Sequence, residues 1–333
     1  MDSVTHIVLG ACIGEALCGQ KIGKKALLIG AIAQSIPDLD FITSMWLPPA
    51  EQLLAHRGIS HSFIFVFALS PLLGFIMSKG IRRVSFSAFT LLFLIEMSTH
   101  LFLDAFNNYG VGWLEPFSHV RISFNTVYVA DVLMTIVPLI AALVLLFSSL
   151  DYHWRRIWTR LGIAWCFVYL CICMVNKLYI SRQVEQAFKA QGISHVRYFT
   201  TPAPLQSFLW MVVTGDEKGF YVAYRSVFDE NPKITFTFFP SNEQLLEPIK
   251  NEEEVVLLKR FSQGFYTVDK SSDTLIFNDL RFGQIIGWHD PKEKFVFHYY
   301  LHQPDNELVV QRGRFAKWDR ASIISFLKRI KGN

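Results

Sequence analysis

The chain has 333 residues, of which 51% are hydrophobic and only 18% charged, with Phe alone occurring 30 times. A mean hydropathy of +0.29 is too apolar for disorder and high for an ordinary soluble enzyme, so it points to a membrane protein. Lys and Arg number 32 against 28 Asp and Glu; spread over this length, the excess argues against a nucleic-acid partner. All five cysteines lie in apolar stretches without metal-ligand spacing, which excludes a disulfide framework, a disulfide partner and a zinc ribbon.

Apolar runs broken by short polar clusters fill the chain from Met1 to about Ile180. Two short runs come first, Val4–Leu17 and Ala26–Ile36, of a length that suits packed half-spans or re-entrant helices. Four longer runs follow, Ser62–Ser78, Val84–Phe106, Val127–Leu150 and Leu161–Leu178. Each has roughly 17–24 residues, enough to cross about 30 Å of hydrocarbon as a helix. The opening residues do not read as a cleavable signal, because no basic leader precedes the apolar run and His6 interrupts its start.

Basic clusters separate alternate runs: Lys21, Lys24 and Lys25, then Lys79, Arg82 and Arg83, then Arg155, Arg156 and Arg160. By the positive-inside rule these turns face the cytoplasm. With the two short runs acting as a pair, both termini then face outward.

After about Ser181 the pattern changes. Gly219–Phe228, Lys233–Phe239, Asp273–Phe277 and Lys294–Leu301 alternate apolar and polar residues and read as strands. Gly215–Gly219 reads as a hairpin turn, while Glu252–Ser262 and Asp319–Lys331 have helical spacing. The expected architecture is an α-helical membrane bundle over residues 1–180, with about four long and two short membrane helices. A soluble α+β domain with a mostly antiparallel sheet follows over 185–333.

Chemistry concentrates in the first part. His6 opens the first run, and Asp38 and Asp40 close the second. His56 and His61 precede one long run, and His100 and Asp104 end the next. All seven fall at segment ends opposite the basic turns, so they share one side of the membrane. His100 and Asp104, four apart on a helix, share a face. Asp38 and Asp40 follow a helix-ending proline, and an extended turn can point both the same way. His56 and His61 would be about 140° apart on one helix, so they need the break that Gly58 supplies; Ser60 can then cap a helix starting at His61. Each piece alone has an ordinary structural reading. Together, ionisable groups at membrane depth on one side point to a metal site. Imidazole and carboxylate without thiolate suit zinc first, then manganese or iron, with one to three ions. Glu15 lies on the wrong helix face and is expected to pack or meet a basic turn; Glu96 is an outer-layer candidate one turn before His100.

Thr5-His6, Pro37–Asp40, the His-Arg-Gly-x-Ser-His-Ser of His56–Ser62, the His-x-x-x-Asp of His100–Asp104, Tyr109-Gly110 and Pro116-Phe117-Ser118 together resemble the YdjM-like family of inner-membrane metal-dependent hydrolases. The resemblance covers roughly residues 1–150. More remotely, the scattered His/Asp order is similar to zinc-dependent phospholipase C and related single-strand nucleases, which hydrolyse phosphate esters. The resemblance implies a multi-pass inner-membrane hydrolase of phosphoesterase type; the basic turns, not the resemblance, put the site and the C-terminal domain on the outer face. Its partners would be membrane lipids and a lipid or lipid-linked phosphate substrate. Asp38 could bridge two metals or position water. Arg57 could clamp a phosphate oxygen or be an interfacial, snorkelling arginine. Arg121 is a second, weaker candidate for the anion, and His119 a weaker candidate outside the seven-residue metal set. Asp131 is either an outer-layer group or a helix N-terminal carboxylate. The competing readings are a non-catalytic scaffold or regulatory protein with a structural metal, and a divalent-metal carrier.

Overall fold

The computed structural model describes residues 1–149, 151–192, 197–250, 252–271, 274–301, 315 and 317–333. It divides into two compact units. The first comprises Met1–Thr43, Ala55–Met174 and Pro204–Gln206; the second comprises Ser44–Leu54, Val175–Ala203 and Ser207–Asn333.

The first unit is helical. It holds α1 (Ser3–Ile22), α2 (Lys25–Ser35), α4 (Phe63–Gly80), α5 (Phe86–Asp104), α6 (Val132–Phe147) and the first part of α7 (Tyr152–Gln191). Asp2 caps α1, its carboxylate accepting from the Thr5 amide at 3.0 Å and the Thr5 hydroxyl at 2.6 Å. Helices α1 and α2 form a close hairpin because their contact is lined by glycine. A Cβ on Gly14 would stand 2.2 Å from the Ala26 carbonyl, and one on Gly30 would stand 2.1 Å from the Gly10 carbonyl. That approach sets the start of α1 beside the end of α2. Pro37 then opens a 3-10 segment, Pro37–Met45, that carries Asp38 and Asp40.

Helices α4 and α5 pack on this hairpin through Val66, Phe89, Leu92, Phe93, Met97 and Leu101, with Ala26 and Ala33 of α2. The outward face of α4 is as apolar as its core: Phe67 is 62% exposed and Leu72 55%. In water such a surface is untenable, so its solvent is lipid. The α4 cap is Ser62, which accepts from the Phe65 amide at 3.3 Å. Ser60 does not cap it, because Ile59–His61 form a 3-10 turn first.

Three described helices, α4, α5 and α7, are long and apolar enough to cross a membrane; a fourth crossing counts if α2 and Pro37–Met45, bent by 54°, are one broken span. The run Val127–Leu150 gives a shorter helix than expected, of 16 residues. Asp131 ends the preceding loop by accepting from the amides of Leu133 at 3.0 Å and Met134 at 3.2 Å. Val127 and Tyr128 are buried in that loop, not placed on a helix.

The second unit holds two antiparallel sheets. One has the order β1 (Arg197–Pro202), β2 (Leu209–Gly215), β3 (Gly219–Ser226) and β4 (Thr237–Pro240); the other is β5 (Tyr266–Ser271), β6 (Thr274–Gln284) and β7 (Phe295–Leu301). Alternation along β2 divides its side chains. Trp210 and Val212 meet Ile180, Val184 and Phe188 of α7, while Met211 and Val213 meet Leu280 and Phe295 of the other sheet. Helices α8 (Glu253–Phe261) and α9 (Arg320–Ile330) cover apolar ends of the sheets, and α3 (Pro49–Ala55) precedes the turn that returns to the first unit. Of the expected strand Lys233–Phe239 only the end is paired, with β3. Asp273 lies outside the described residues. Among the described residues there is no disulfide.

Candidate metal centre

Four segments of the first unit deliver side chains to one point. His6 stands one turn into α1, Asp38 is the second residue of the 3-10 segment, His61 ends the turn before α4, and His100 and Asp104 occupy the last turn of α5. The side chains of His6, His61, His100 and Asp104 are fully buried, whereas that of Asp38 is 22% exposed.

Proton placement decides what the cluster can bind. The His100 Nδ1 lies 2.6 Å from the Gln34 carbonyl, which only accepts, so Nδ1 carries the proton and Nε2 a lone pair. The His61 Nδ1 faces Ser60 Oγ at 2.9 Å and Asp40 Oδ2 at 3.2 Å. Ser60 already donates to that carboxylate at 2.7 Å, so His61 also protonates at Nδ1. Two lone pairs therefore face each other, with the Nε2 atoms 3.1 Å apart. Asp38 Oδ1 lies 3.4 Å from both, and Asp104 Oδ2 lies 3.6 Å from both.

One proton could answer one of these contacts; a cation answers all of them. Zinc bonds of about 2.0–2.2 Å place tetrahedral ligand atoms about 3.3–3.6 Å apart, close to the spacing seen. Asp38, His61, His100 and Asp104 thus offer four ligand atoms around a common centre. Two nitrogens and two carboxylate oxygens fit zinc, manganese or iron.

The surroundings hold this set in place. Asp40 accepts from His56 Nδ1 at 2.8 Å, the Arg57 amide at 2.8 Å, Ser60 and His61. It is placed to orient His61, as carboxylates behind ligating histidines do. Asp38, Asp40 and His56 also form a second possible ligand group, so Asp38 belongs to both. Burial lowers the His56 pKa below its usual value, against the raising effect of Asp40; the neutral imidazole is the ligating form. His6 stacks on His100 with ring centroids 3.8 Å apart and places Nε2 3.2 Å from Asp104 Oδ1. Among the described residues its Nδ1 has no hydrogen-bond partner. The Met1 amino group lies against the same Asp104 oxygen.

Arg57 does not snorkel. It is 3% exposed, sits at φ 62°, and aims inward. Its Nε is 3.0 Å from Asp104 Oδ2, its Nη1 donates to Asn107 Oδ1 at 2.7 Å, and its guanidinium lies 5.0 Å from the Tyr109 ring centre. Arg121 donates to the carbonyls of His56 and Gly110, each at 3.0 Å, and so ties the loop that carries the histidine motif.

Other candidates fall elsewhere. His119 is exposed and pairs with Glu115 at 2.8 Å. Glu15 pairs with Arg155 of a basic cluster at 2.8 Å. Glu96 is buried against the Gln34 side chain, whose amide nitrogen, oriented toward it, donates to Glu96 Oε2 at 2.8 Å; Gln34 in turn holds His100 through its carbonyl. Sequence reasoning missed Gln34 and Asn107. A polar residue inside the run Ala26–Ile36 was the available signal for the first.

Asp131 is the α6 cap and also accepts from the Tyr169 hydroxyl at 2.9 Å. Burial pushes its carboxyl up to about 7, against the lowering effect of those hydrogen bonds. A raised acid pKa favours the folded state while the group is protonated. That contribution is complete below the ordinary carboxylate value and fades as pH rises through about 7. Asp131→Asn should therefore gain thermal stability relative to the parent between pH 5 and pH 8, and thermal melts in detergent check this; a pH-independent difference would contradict it.

Apolar helices that bury a His/Asp cluster at one end define an integral membrane protein with a candidate metal centre. The chain belongs to the YdjM inner membrane protein family, whose model matches residues 1–180. It is 30% identical over 120 residues to the inner membrane protein YbcI of Escherichia coli K12, covering 35% of this chain and 69% of that protein. It is 28% identical over 138 residues to the uncharacterized protein YfhP of Bacillus subtilis 168, covering 39% of this chain and 42% of that one. No solved structure matches.

Proposed function

We propose that this inner-membrane protein is a metal-dependent hydrolase that cleaves a phosphate ester of a lipid or lipid-linked substrate. The observation that carries the reading is Asp38. It is the one partly exposed member of the four-residue group, and it is shared with the Asp40/His56 group. A carboxylate common to two ligand sets is what a bridged centre needs. When bound, a divalent ion supplies Lewis acidity, polarising a phosphoryl oxygen and acidifying water. The chain's own residues do the rest. Asp40 and the Gln34 carbonyl hold the protons of His61 and His100 on Nδ1. Arg57 and Asn107 hold Asp104. Of the two ligand groups, His61, His100 and Asp104 are fully buried, while Asp38 and His56 reach solvent. A substrate whose tails remain in the bilayer suits a site at the end of apolar helices.

Phosphate release from a panel of phospholipids and lipid-linked phosphates, by metal-loaded protein in detergent, tests the reading. Turnover abolished by chelator and restored by zinc or manganese is expected. No turnover by fully loaded protein would favour a structural metal in a non-catalytic protein. That second reading draws support from the same centre, because four protein ligands can close a tetrahedral site.

Charge supports an orientation. The basic turns lie at the helix ends opposite the cluster, and on the positive-inside rule we propose that the centre and the C-terminal domain face outward. A phosphatase reporter that is active only outside the cytoplasm should be active when fused after Asn333. Activity from a reporter that works only in the cytoplasm would reverse the assignment.

A further inference from the structure

Where α1 ends and α7 begins, the first unit has a cavity of about 220 Å³ lined by Glu15, Gln20, Tyr152, Arg155, Arg156 and Arg160. It lies about 20 Å along α1 from His6, at the opposite end from the metal cluster. Its inner wall is neutral. Arg155 gives Nε to Glu15 Oε1 and places Nη2 by Oε2, both at 2.8 Å, and donates Nη1 to the Leu145 carbonyl at 3.1 Å. Its outer wall is not. Arg156 and Arg160 are exposed, one helical turn apart on the same face. Among the described residues no carboxylate pairs with either of them. Arg156 lies over Tyr152, 5.3 Å from the ring centre. Two unpaired like charges at this spacing repel, and an anion between them removes the repulsion.

The surroundings identify the kind of anion. Tyr152 is 47% exposed, Trp154 53% and Leu161 45%. Amphipathic rings beside arginines at the start of an apolar helix mark the depth of lipid headgroups. An anion held there can leave its acyl chains in the bilayer. We propose that this cavity binds the phosphate of an anionic phospholipid, held by Arg156 and Arg160 with the Tyr152 hydroxyl and the Gln20 amide beside it. The site is independent of the metal centre and of its chemistry.

Native mass spectrometry of the full chain in neutral detergent tests this, with dioleoylphosphatidylglycerol, dioleoylphosphatidylcholine and inorganic phosphate as separate probes. Phosphatidylglycerol should bind about thirtyfold more tightly than phosphatidylcholine, from two arginines facing a net negative headgroup. Arg156→Gln with Arg160→Gln should reduce phosphatidylglycerol to the phosphatidylcholine level and leave metal content unchanged. Lys79→Gln with Arg82→Gln removes the same charge from another basic turn and should keep the preference. Equal binding of the two lipids by the parent protein would overturn the proposal, and this comparison stands even if the arginine variant does not fold. A preference that survives the arginine variant, or falls equally in both double variants, would overturn it as well. Inorganic phosphate binding as tightly as phosphatidylglycerol would make this a soluble-anion site instead.

Discussion

Alanine in place of His100 is expected to strip the protein of its metal. Purified parent protein should carry at least one divalent ion per chain, and His100→Ala less than a tenth of that. His61→Ala and Asp104→Ala should behave alike, although the residues come from different segments. The geometry makes the loss steep: each supplies one of four ligand atoms that all lie within 4.8 Å of one another, and losing one of four weakens the hold on the ion. Outer groups should matter less. Asp40→Asn leaves the ligand atoms in place but weakens the orientation of His61, an effect worth about 10–100-fold in affinity. Inductively coupled plasma mass spectrometry on detergent-purified variants checks the series. Undiminished metal in His61→Ala, His100→Ala and Asp104→Ala would remove the centre.

Arg57→Ala separates two roles for the guanidinium. A residue serving only to clamp substrate phosphate could be removed without touching metal content. The structure commits Arg57 to Asp104 and Asn107 instead. Its loss should therefore weaken metal binding by about 10–100-fold. In metal-free protein it should lower stability by up to about 3 kcal/mol, the low end of the cost of breaking a buried ion pair, because the Met1 amino group stays on the other Asp104 oxygen. Arg57→Lys keeps the charge and the left-handed backbone but not the fork that reaches both partners, so it should recover part of the affinity. Asn107→Ala should repeat a smaller share of the loss. Titration with a competing chelator gives the affinities, and denaturant melts of apo-protein the stabilities. Unchanged affinity in Arg57→Ala would return the residue to a substrate-binding role.

Which residues converge was legible because few side-chain types bind metals, and here they stand at segment ends away from every basic turn. His100 and Asp104 needed only helical spacing. The hydrogen bonds behind them were not legible. The group that fixes the His100 tautomer is the Gln34 carbonyl, and a backbone atom leaves no mark in sequence. Arg57 read equally as a phosphate clamp and as a snorkelling arginine; its positive φ and its burial against Asp104 and Asn107 are features that sequence does not carry. Helix ends failed for a related reason. Val127 and Tyr128 are apolar because they fill the core from a loop, and hydropathy cannot tell that from the start of a helix; only the Asp131 cap can. In the second unit, alternation found the strands, but Lys233–Phe239 mixes an unpaired stretch with the short β4, because pairing depends on a neighbour that periodicity does not name.

The most direct test of the centre is X-ray absorption at the metal edge of the zinc-loaded protein. Two histidines, two aspartates and no cysteine predict four nitrogen or oxygen neighbours at about 2.0–2.2 Å, with the outer scattering of two imidazoles, and a protein-bound zinc signal in His100→Ala under a tenth of the parent's. Sulfur scattering near 2.3 Å, or a spectrum identical in the parent and in His100→Ala, would contradict it.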